Sequence, residues 1–407
     1  MEWKEVRLGD VCEIYGRIGF RGYTTNDLVD TPKEGAISLS PKNIINGELN
    51  LDQCTYIKWD KYYESPEIMI NPNEIIITKT GSSVGRTTFV RRVVHPMTLN
   101  PQLVVLKNIS ENAEFLSYYI KSALFQSVLK SIVVGSAIPT LSQKNLANLI
   151  INVPKEVAYQ RRIASILSSL DQKIELNNKI NDDLEEMAQA IFKNWFVDFE
   201  PFKDGKFVDS ELGMIPEGWK VGTLTEIASY MNGLAMQKYP PENIEDSLPV
   251  LKIKELGQGF CGTDSDRCSC NIKDECKIHN GDVIFSWSGT LLVDVWCGGD
   301  CGLNQHLFKV TSNDYPKWFY YYWTKHHLQE FIHIAKDKAV TMGHIKRGHL
   351  EEALVAIPDN DSMEKAHELF EPILSKMISL RLENSRLSLL RDTLLPRLMS
   401  GELEVPE

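Results

Sequence analysis

The chain contains two copies of one sequence pattern in the same order, and this repeat constrains its fold more than any other feature. The opening "MEWKEVRL" returns as "GWKVGTL", so that Trp3 and Leu8 match Trp219 and Leu224. Further along each copy, "EIIITKTGSSVG" is matched by "DVIFSWSGTLLV", and "LNPQLVVL" by "LNQHLFKV". Ordered self-similarity of this kind is typical of duplicated domains. The 407 residues therefore predict two similar domains rather than one core.

Each copy ends in a long stretch of helical periodicity, in which apolar residues recur at spacings of 3, 4 or 7. A helix of about 35 residues is roughly 50 Å long, which is too long and too narrowly striped for an ordinary domain helix. The predicted seam positions are Ile166, Leu170, Asn177, Ile180, Leu184, Met187 and Ile191 in the first stretch, and Ile373, Met377, Leu380, Asn384, Leu387, Leu394 and Leu398 in the second.

These two stretches predict helices that pair as an antiparallel coiled coil. Antiparallel pairing would relate the two copies by a pseudo-two-fold axis, so that a direct sequence repeat becomes an inverted spatial one. Asn177 and Asn384 occupy the same seam position, where paired Asn side chains usually set the register. The alternative is that each helix packs only on its own domain.

Before its helix, each copy contains short β-strand patterns separated by turn residues. The β-branched segments are "EIIIT", "TTFVRRVV" and "QLVVL" in the first copy and "DVIFS" and "LFKV" in the second. The sequence thus predicts an α+β fold with two similar α/β domains in tandem, each followed by a long helix. The predicted segments are 1–157 and 218–360 for the domains, 158–195 and 361–400 for the helices, 196–217 for a connector and 401–407 for a tail.

Composition restricts the cellular setting. No apolar run reaches the roughly 18 residues of a membrane-spanning helix, and the first residues lack the apolar block of a signal peptide. The eight cysteines form no small-domain disulfide framework, so we expect a cytoplasmic protein with reduced thiols. The net charge is −11, so any nucleic-acid binding would need local patches of Lys and Arg or partner subunits that neutralise phosphates.

We find no catalytic motif in the sequence, neither a phosphate-binding loop nor His-Glu-x-x-His. Zinc is an alternative for the cysteines of the second copy and one histidine, namely Cys261, Cys268, Cys270, Cys276, His279, Cys297 and Cys301. Their spacings match no familiar zinc module, and the first copy has only Cys12 and Cys54. The sequence therefore predicts neither a metal site nor a catalytic residue.

Three segments carry a resemblance to a known family: the connector "FKNWFVDFEPF", the entry "ELGMIPEGW" to the second copy, and the ending "LLPRLMSGEL". With the tandem copies, they resemble the specificity subunit of type I restriction-modification systems over essentially the whole chain. The resemblance implies a non-catalytic protein whose two target-recognition domains each read one half of a bipartite DNA site. The paired helices would hold the two readers about 50 Å apart, enough for half-sites separated by roughly one helical turn of about 34 Å.

The resemblance also implies partners. Such subunits assemble with two modification (methyltransferase) subunits, which bind S-adenosylmethionine, and with restriction (translocase and nuclease) subunits, which hydrolyse ATP. We therefore expect double-stranded DNA and these subunits as partners, no membrane, and no cofactor in this chain, with S-adenosylmethionine, ATP and Mg on the partner subunits. The alternatives are the specificity subunit of a related methyltransferase-nuclease system and a coiled-coil scaffold that binds no DNA.

Side chains that reach base edges are mainly Arg, Lys, Asn, Gln, Ser and Thr, and loops of both copies are rich in them. The candidates of the first copy are Arg17, Arg21, Tyr23, Lys42, Asn43, Lys79, Ser82, Ser83, Arg86, Ser136, Thr140, Gln143 and Lys144. Those of the second copy are Lys252, Lys254, Arg267, Trp287, Ser288, Lys338, Thr341, His344, Lys346 and Arg347. The apolar helix faces predicted to meet the modification subunits contain Ile163, Leu167, Phe192, Trp195, Phe196, Leu374 and Leu395.

Overall fold

The computed structural model describes residues 2–134, 138–337 and 343–406. The chain divides into two compact units, of which unit 1 comprises Met1–Gln172 with Ser388–Glu407, and unit 2 comprises Lys173–Leu387. Each unit contains a mixed α/β domain and part of both long helices. The α+β class predicted from the repeat is thereby confirmed.

Unit 1 is built from short strands and short helices. Its strands are β1 (Trp3–Arg7), β2 (Glu13–Tyr15), β3 (Leu28–Val29), β4 (Gly35–Leu39), β5 (Ile44–Ile45), β6 (Glu48–Leu49), β7 (Tyr56–Lys58), β8 (Ile75–Thr78), β9 (Thr87–Phe89), β10 (Met97–Leu99), β11 (Leu103–Lys107) and β12 (Ile150–Pro154). Its helices are α1 (Leu8–Val11), α2 (Trp59–Tyr63), α3 (Ala113–Lys121), α4 (Ala123–Ser131), α5 (Gln143–Ala147) and the start of α6 (Val157–Phe192).

Two four-stranded sheets form the domain of unit 1. One has the order β2-β11-β8-β9 with antiparallel neighbours, and the other has the order β10-β4-β7-β3 with a parallel β10-β4 pair. Alternate residues of β8 enter different cores, since Ile75 and Ile77 pack in one cluster and Ile76 in another. The unbroken apolar run "EIIIT" is therefore the signature of a strand buried on both faces.

Unit 2 repeats this construction. Its strands are β13 (Phe207–Ser210), β14 (Gly213–Pro216), β15 (Lys220–Thr223), β16 (Ser229–Asn232), β17 (Ser247–Leu251), β18 (Arg267–Ser269), β19 (Lys277–Ile278), β20 (Val283–Ser286), β21 (Leu292–Val295), β22 (Cys301–Leu303), β23 (Leu307–Thr311) and β24 (Leu354–Ile357). Its helices are α7 (Leu224–Ile227), α8 (Ile253–Gln258), α9 (Lys317–His326), α10 (Leu328–Asp337), α11 (Arg347–Glu352) and α12 (Asn360–Ser400).

The sheets of unit 2 correspond to those of unit 1. The order β16-β23-β20-β21 matches β2-β11-β8-β9, and the antiparallel pair β15-β24 matches β1-β12. The remaining sheet, β18-β17-β22-β19, keeps one parallel pair, β17-β22. The sequence repeat thus corresponds to a repeated domain fold.

The connector that follows α6 is ordered. A π-helical turn, Lys193–Val197, leads into the β13-β14 hairpin. Phe196 is 1% exposed, and the Phe202 ring lies 4.9 Å from that of Trp219. The aromatic residues of this segment are therefore part of the unit 2 core rather than of a flexible tether.

The long helices run antiparallel where they pack within each unit. In unit 1, Asp171 accepts a hydrogen bond from Arg391 (2.8 Å), while Tyr159, earlier in the chain, accepts one from the backbone N–H of Val405 (2.9 Å). The order of contacts thus runs in opposite directions along the two segments.

The same antiparallel order holds in unit 2. Asn177 donates to the Asn384 amide oxygen (2.9 Å), and the Phe192 ring lies 6.3 Å from that of Phe370. Asn177 is completely buried, as its seam position predicted. Met187, also assigned to the seam, is 44% exposed, whereas its neighbour Ala188 is buried. The seam assignment was therefore wrong at Met187, because it is Ala188 that packs in the core of unit 2.

A second correction concerns the helix faces that were assigned to the modification subunits. Ile163 and Leu167 are fully buried in the core of unit 1, where the partly buried Leu395 also packs. Phe192, Phe196 and Leu374 are buried in the core of unit 2, with Trp195 packed against them. These side chains are used by the domains of this chain because each helix packs on its own domain as well as on the other helix. Their assignment to a partner was therefore wrong.

No described helix is long and apolar enough to cross a membrane.

Candidate nucleic-acid interface

Loops of unit 1 meet at one end of the β2-β11-β8-β9 sheet. The backbone N–H of Leu141 donates to the Lys79 carbonyl (2.7 Å), and that of Gly81 donates to the Pro139 carbonyl (3.0 Å). The Lys79 N–H in turn donates to the carbonyl of Gln102 (2.8 Å). The loop after β2 joins them, because Gly16 lies against Gln143. We call this group loop cluster 1, and it consists of the described residues 16–23, 79–86, 100–102 and 138–144.

Unit 2 carries the same arrangement in the corresponding loops. The backbone N–H of Ile345 donates to the Trp287 carbonyl (3.1 Å), and that of Gly289 donates to the Gly343 carbonyl (2.9 Å). The loop after β16 again lies alongside, since Leu234 forms a β-bridge with Asn304. Loop cluster 2 consists of residues 233–236, 286–291, 304–306 and 343–347.

A glycine shapes the equivalent turn in both clusters. Gly81 has a φ of +102° and Gly289 has a φ of +68°, a region that L side chains rarely adopt. Each of these glycines also donates the cross-loop hydrogen bond of its cluster. The matched "TKTG" and "SWSG" segments are therefore the same turn with different side chains.

Several residues predicted to contact DNA form hydrogen bonds within the protein. Arg17 is 4% exposed and donates to the carbonyls of Leu99 (2.8 Å) and Arg21 (3.1 Å) and to the Thr98 hydroxyl. Its guanidinium also lies over the Tyr23 ring. It therefore supports the loop that follows β2 from within.

Tyr23, Asn43, Ser288 and Arg267 likewise have partners within the protein. The Tyr23 hydroxyl accepts from Ser38 (2.8 Å), and the buried Asn43 caps the turn that begins at Ser40. Ser288 is 7% exposed and lies in the β-bridge to His344, while Arg267 donates to Ser247.

Charge pairing separates the predicted cations into two groups. Arg21 pairs with Glu67 (3.3 Å), Lys252 pairs with Asp266, and Lys254 pairs with Asp264 (2.6 Å). Arg17 and Arg267 donate to neutral groups of the protein. Within the described parts of the chain, no carboxylate pairs with Lys42, Lys79, Arg86, Lys144, Lys346 or Arg347. The unpaired group is the better suited to phosphates or base edges.

Lys79 is unusual among these cations because it is half-buried, and burial lowers its pKa. Lys42, Arg86, Lys144, Lys346 and Arg347 are exposed. A half-buried ammonium group without an anionic partner is an unfavourable arrangement in the free protein. A ligand that supplied acceptors would relieve it.

The remaining predicted residues lie within the clusters or outside the described chain. Ser82, Ser83, Thr140 and Gln143 belong to loop cluster 1, and Trp287 and His344 belong to loop cluster 2. Ser136, Lys338 and Thr341 lie outside the described residues.

The structure adds Gln102 and His306, which the sequence analysis missed. Both are exposed and occupy the same position in the "LNPQ" and "LNQH" motifs. Their backbone N–H groups donate to the side chains of Asn100 (2.9 Å) and Asn304 (3.2 Å), respectively. The repeated motif was visible in the sequence, and the polar residue that ends each copy of it was the available signal.

Zinc was the alternative considered for the cysteines of unit 2. Of the side chains that the structure describes, no group of three or more His, Cys, Asp or Glu is placed to hold a metal ion. Cys268, Cys276 and Cys301 are buried in the apolar clusters of unit 2.

Arg17 provides a test of its structural role. Replacing Arg17 with Ala should lower the free energy of unfolding by about 1 to 3 kcal/mol, because buried carbonyls lose their donors. Urea denaturation measures this loss. Replacing the exposed Arg92 in the same unit should change stability by less than about 0.5 kcal/mol. Equal stabilities of the two variants would contradict the assigned role.

The fold is repeated, and each copy carries a loop cluster. Comparison with known families shows that the two copies are tandem DNA specificity domains. The model of the type I restriction modification DNA specificity domain matches residues 1–186 and 216–384. These matches cover most of the chain, and the chain belongs to this family.

Individual relatives span the whole chain. The type I restriction enzyme MjaIX specificity subunit of Methanocaldococcus jannaschii is 29% identical over 425 residues, covering 100% of this chain and 94% of the relative. The HindI specificity subunit of Haemophilus influenzae is 21% identical over 470 residues, covering 99% and 100%. The fold is similar to the crystal structure of the type I restriction-modification S subunit from M. genitalium, with a TM-score of 0.56, 16% identity and coverage of 98% and 96%.

Proposed function

We propose that this chain is the non-catalytic DNA-recognition subunit of a type I restriction-modification complex. Each loop cluster reads one half of a bipartite DNA site. The observation that carries this proposal is the recurrence of one backbone arrangement in both units, with different side chains at equivalent positions. Such a construction suits two readers that share a way of docking and differ in the bases they select.

The charge distribution supports different contributions to DNA binding from this chain and from its partner subunits. The unpaired cations of the clusters are few, and the chain as a whole has a net charge of −11. Phosphate contacts provide most of the salt-dependent affinity, whereas base-edge contacts provide the specificity. We therefore propose that partner subunits supply much of the phosphate neutralisation and that this chain supplies the reading of the sequence.

The long helices are proposed to set the spacing between the half-sites and to dock the modification subunits. Their exposed apolar side chains are Leu176, Met187 and Leu369 in unit 2 and Val157, Leu389 and Leu390 in unit 1. These residues replace the buried ones that the sequence had suggested for docking. Leu389 and Leu390 are adjacent and are 70% and 46% exposed, and we propose that this pair is part of the surface that a modification subunit covers.

Catalysis and cofactor binding are proposed to reside in the partner subunits. S-adenosylmethionine would bind to the modification subunits, and ATP with Mg to the restriction subunits. The contribution of this chain is then to position the modification subunits on the DNA.

Methylation mapping tests the proposed function. The chain is co-expressed with its modification subunits in a host that lacks both, and methylated adenines are mapped across the genomic DNA. We expect one bipartite motif, with two specified halves separated by an unspecified spacer. The matched control expresses the modification subunits alone and should show no methylation at that motif. Methylation that does not depend on this chain would contradict the proposal.

A further inference from the structure

Positions 79 and 287 are structurally equivalent in the two loop clusters. Each follows the last residue of the matching strand, β8 or β20, and each carbonyl accepts a hydrogen bond from the facing loop, from Leu141 or Ile345. The residue two places later is the glycine that donates the second cross-loop hydrogen bond. The backbone at the two positions is therefore held in the same way.

Both positions carry a side chain with a nitrogen donor. Lys79 has no carboxylate partner among the described residues, and burial lowers the pKa of its ammonium group. The indole N–H of Trp287 is buried and has no hydrogen-bond acceptor among the described residues. Unsatisfied donors are rare in folded proteins, and each costs about 1 to 3 kcal/mol. A buried indole N–H without an acceptor at one position, and a half-buried cation without a carboxylate partner at the equivalent position, indicate an acceptor that lies outside the chain.

The residues next to positions 79 and 287 also differ between the two clusters. Beside Lys79 stands Gln102, whose carbonyl accepts from the Lys79 backbone N–H. Beside Trp287 stands His306, with ring centroids 6.0 Å apart, and the His344 ring lies 6.4 Å away. Cluster 1 thus has Gln102 next to its donor residue, whereas cluster 2 has two imidazole rings next to Trp287.

We propose that Lys79 and Trp287 are the paired specificity-determining residues of the two half-sites, an inference that rests on the proposed function. In the major groove, guanine presents two acceptors, O6 and N7, which suit the Lys79 ammonium group. Thymine presents the O4 acceptor next to its methyl group, which suits an indole that has both an N–H donor and an apolar ring. The Trp287 N–H is buried in the free protein, so the proposed contact requires the indole ring to turn toward the base.

The experiment uses the complex of the full chain with its modification subunits. Binding is measured against a library of bipartite sites in which every base of both halves is varied. Lys79→Met removes the charge and keeps the length, so the preference for guanine at one position of one half-site should fall by about 5- to 150-fold. Trp287→Phe keeps the ring and removes the donor, so the preference for thymine should fall in the other half-site only.

Matched variants separate reading from phosphate contact and from misfolding. Lys144→Met and Lys346→Met, at exposed unpaired cations of the two clusters, should weaken all sequences alike. Lys79→Arg should retain the guanine preference, because Arg also donates to O6 and N7.

The experiment distinguishes a failure of the residue assignment from a failure of the proposed function. If the unaltered complex selects a bipartite site while Lys79→Met and Trp287→Phe leave all base preferences unchanged, the assignment of these residues is overturned. The same holds if either variant changes both half-sites. If the unaltered complex selects no site, the proposed function itself fails.

Discussion

Replacing Phe370 with Ala should lower the free energy of unfolding of unit 2 by about 3 to 5 kcal/mol, the usual loss for a deleted core aromatic residue. Phe370 lies on α12 and is completely buried. Its ring stacks on that of Trp318 at 4.7 Å and lies within 6.3 Å of those of Phe192 and Phe196. The side chain therefore joins α12, α9 and the end of α6 in one core. Urea unfolding followed by tryptophan fluorescence measures the effect.

The adjacent residue provides the matched control. Leu369 is on the same helix and is 41% exposed, so Leu369→Ala should change stability by less than about 1 kcal/mol. Equal losses for Leu369→Ala and Phe370→Ala would show that the core of unit 2 is not centred on this aromatic cluster.

Replacing Gln160 with Ala should lower the free energy of unfolding of unit 1 by about 2 to 4 kcal/mol, because buried groups lose their partners and a cavity remains. Gln160 is fully buried near the start of α6. Its amide nitrogen donates to Glu111 and to the Pro154 carbonyl (2.8 Å), and its amide oxygen accepts from the backbone N–H of Asn112 (2.8 Å). One side chain thus connects α6 to the end of β12 and to the first turn of α3. Thermal and urea unfolding both report the loss.

Gln172 is the control for this prediction. It lies on the same helix in the same unit and is exposed, so Gln172→Ala should alter stability by less than about 0.5 kcal/mol. A Gln160→Ala protein as stable as the Gln172→Ala protein would mean that the network contributes nothing to the attachment of α6.

Much of the fold could be predicted from the sequence because its signals are local and repeated. The helix predicted over 158–195 is observed at Val157–Phe192 followed by a π-helical turn, and that predicted over 361–400 is observed at Asn360–Ser400. The strand patterns "EIIIT" and "DVIFS" became β8 and β20, which occupy equivalent places in the two sheets. Periodicity reports which side of a helix or strand is apolar. This was sufficient to predict whether a segment is a helix or a strand and how far it extends.

Periodicity did not report which neighbour covers an apolar face. Ile163 and Phe196 were assigned to partner subunits because a pair of helices alone could not cover them. The domain of each unit covers them instead. The surface left for partners contains other residues, such as Leu389 and Leu390, whose sequence context on α12 resembles that of the buried leucines.

In the candidate site, sequence composition pointed to loops, whereas the role of each residue within a loop depends on contacts that the sequence does not give. The loops that carry Lys79 and Thr140 meet within unit 1, and the loop that carries Trp287 belongs to the corresponding cluster of unit 2, while their contact with DNA stays a prediction. Arg17 was expected to contact DNA because it lies in a glycine-rich loop, yet its guanidinium donates to the Leu99 carbonyl and the Thr98 hydroxyl, which are distant in the sequence. Sequence composition cannot distinguish a cation that supports a loop from one that the loop presents.

By itself, the sequence determined that the chain is a duplication, that each copy is an α/β domain followed by a long helix, and that its loops are rich in polar residues. Only the tertiary structure decided which cations are neutralised, since Arg21 meets Glu67 and Lys252 meets Asp266 through contacts distant in the chain. It also decided that positions 79 and 287 are equivalent and that, among the described residues, the Trp287 indole N–H has no acceptor. The physical reason is that helix and strand propensity depend on neighbouring residues, whereas hydrogen bonding, charge pairing and burial depend on which distant segments the fold brings together.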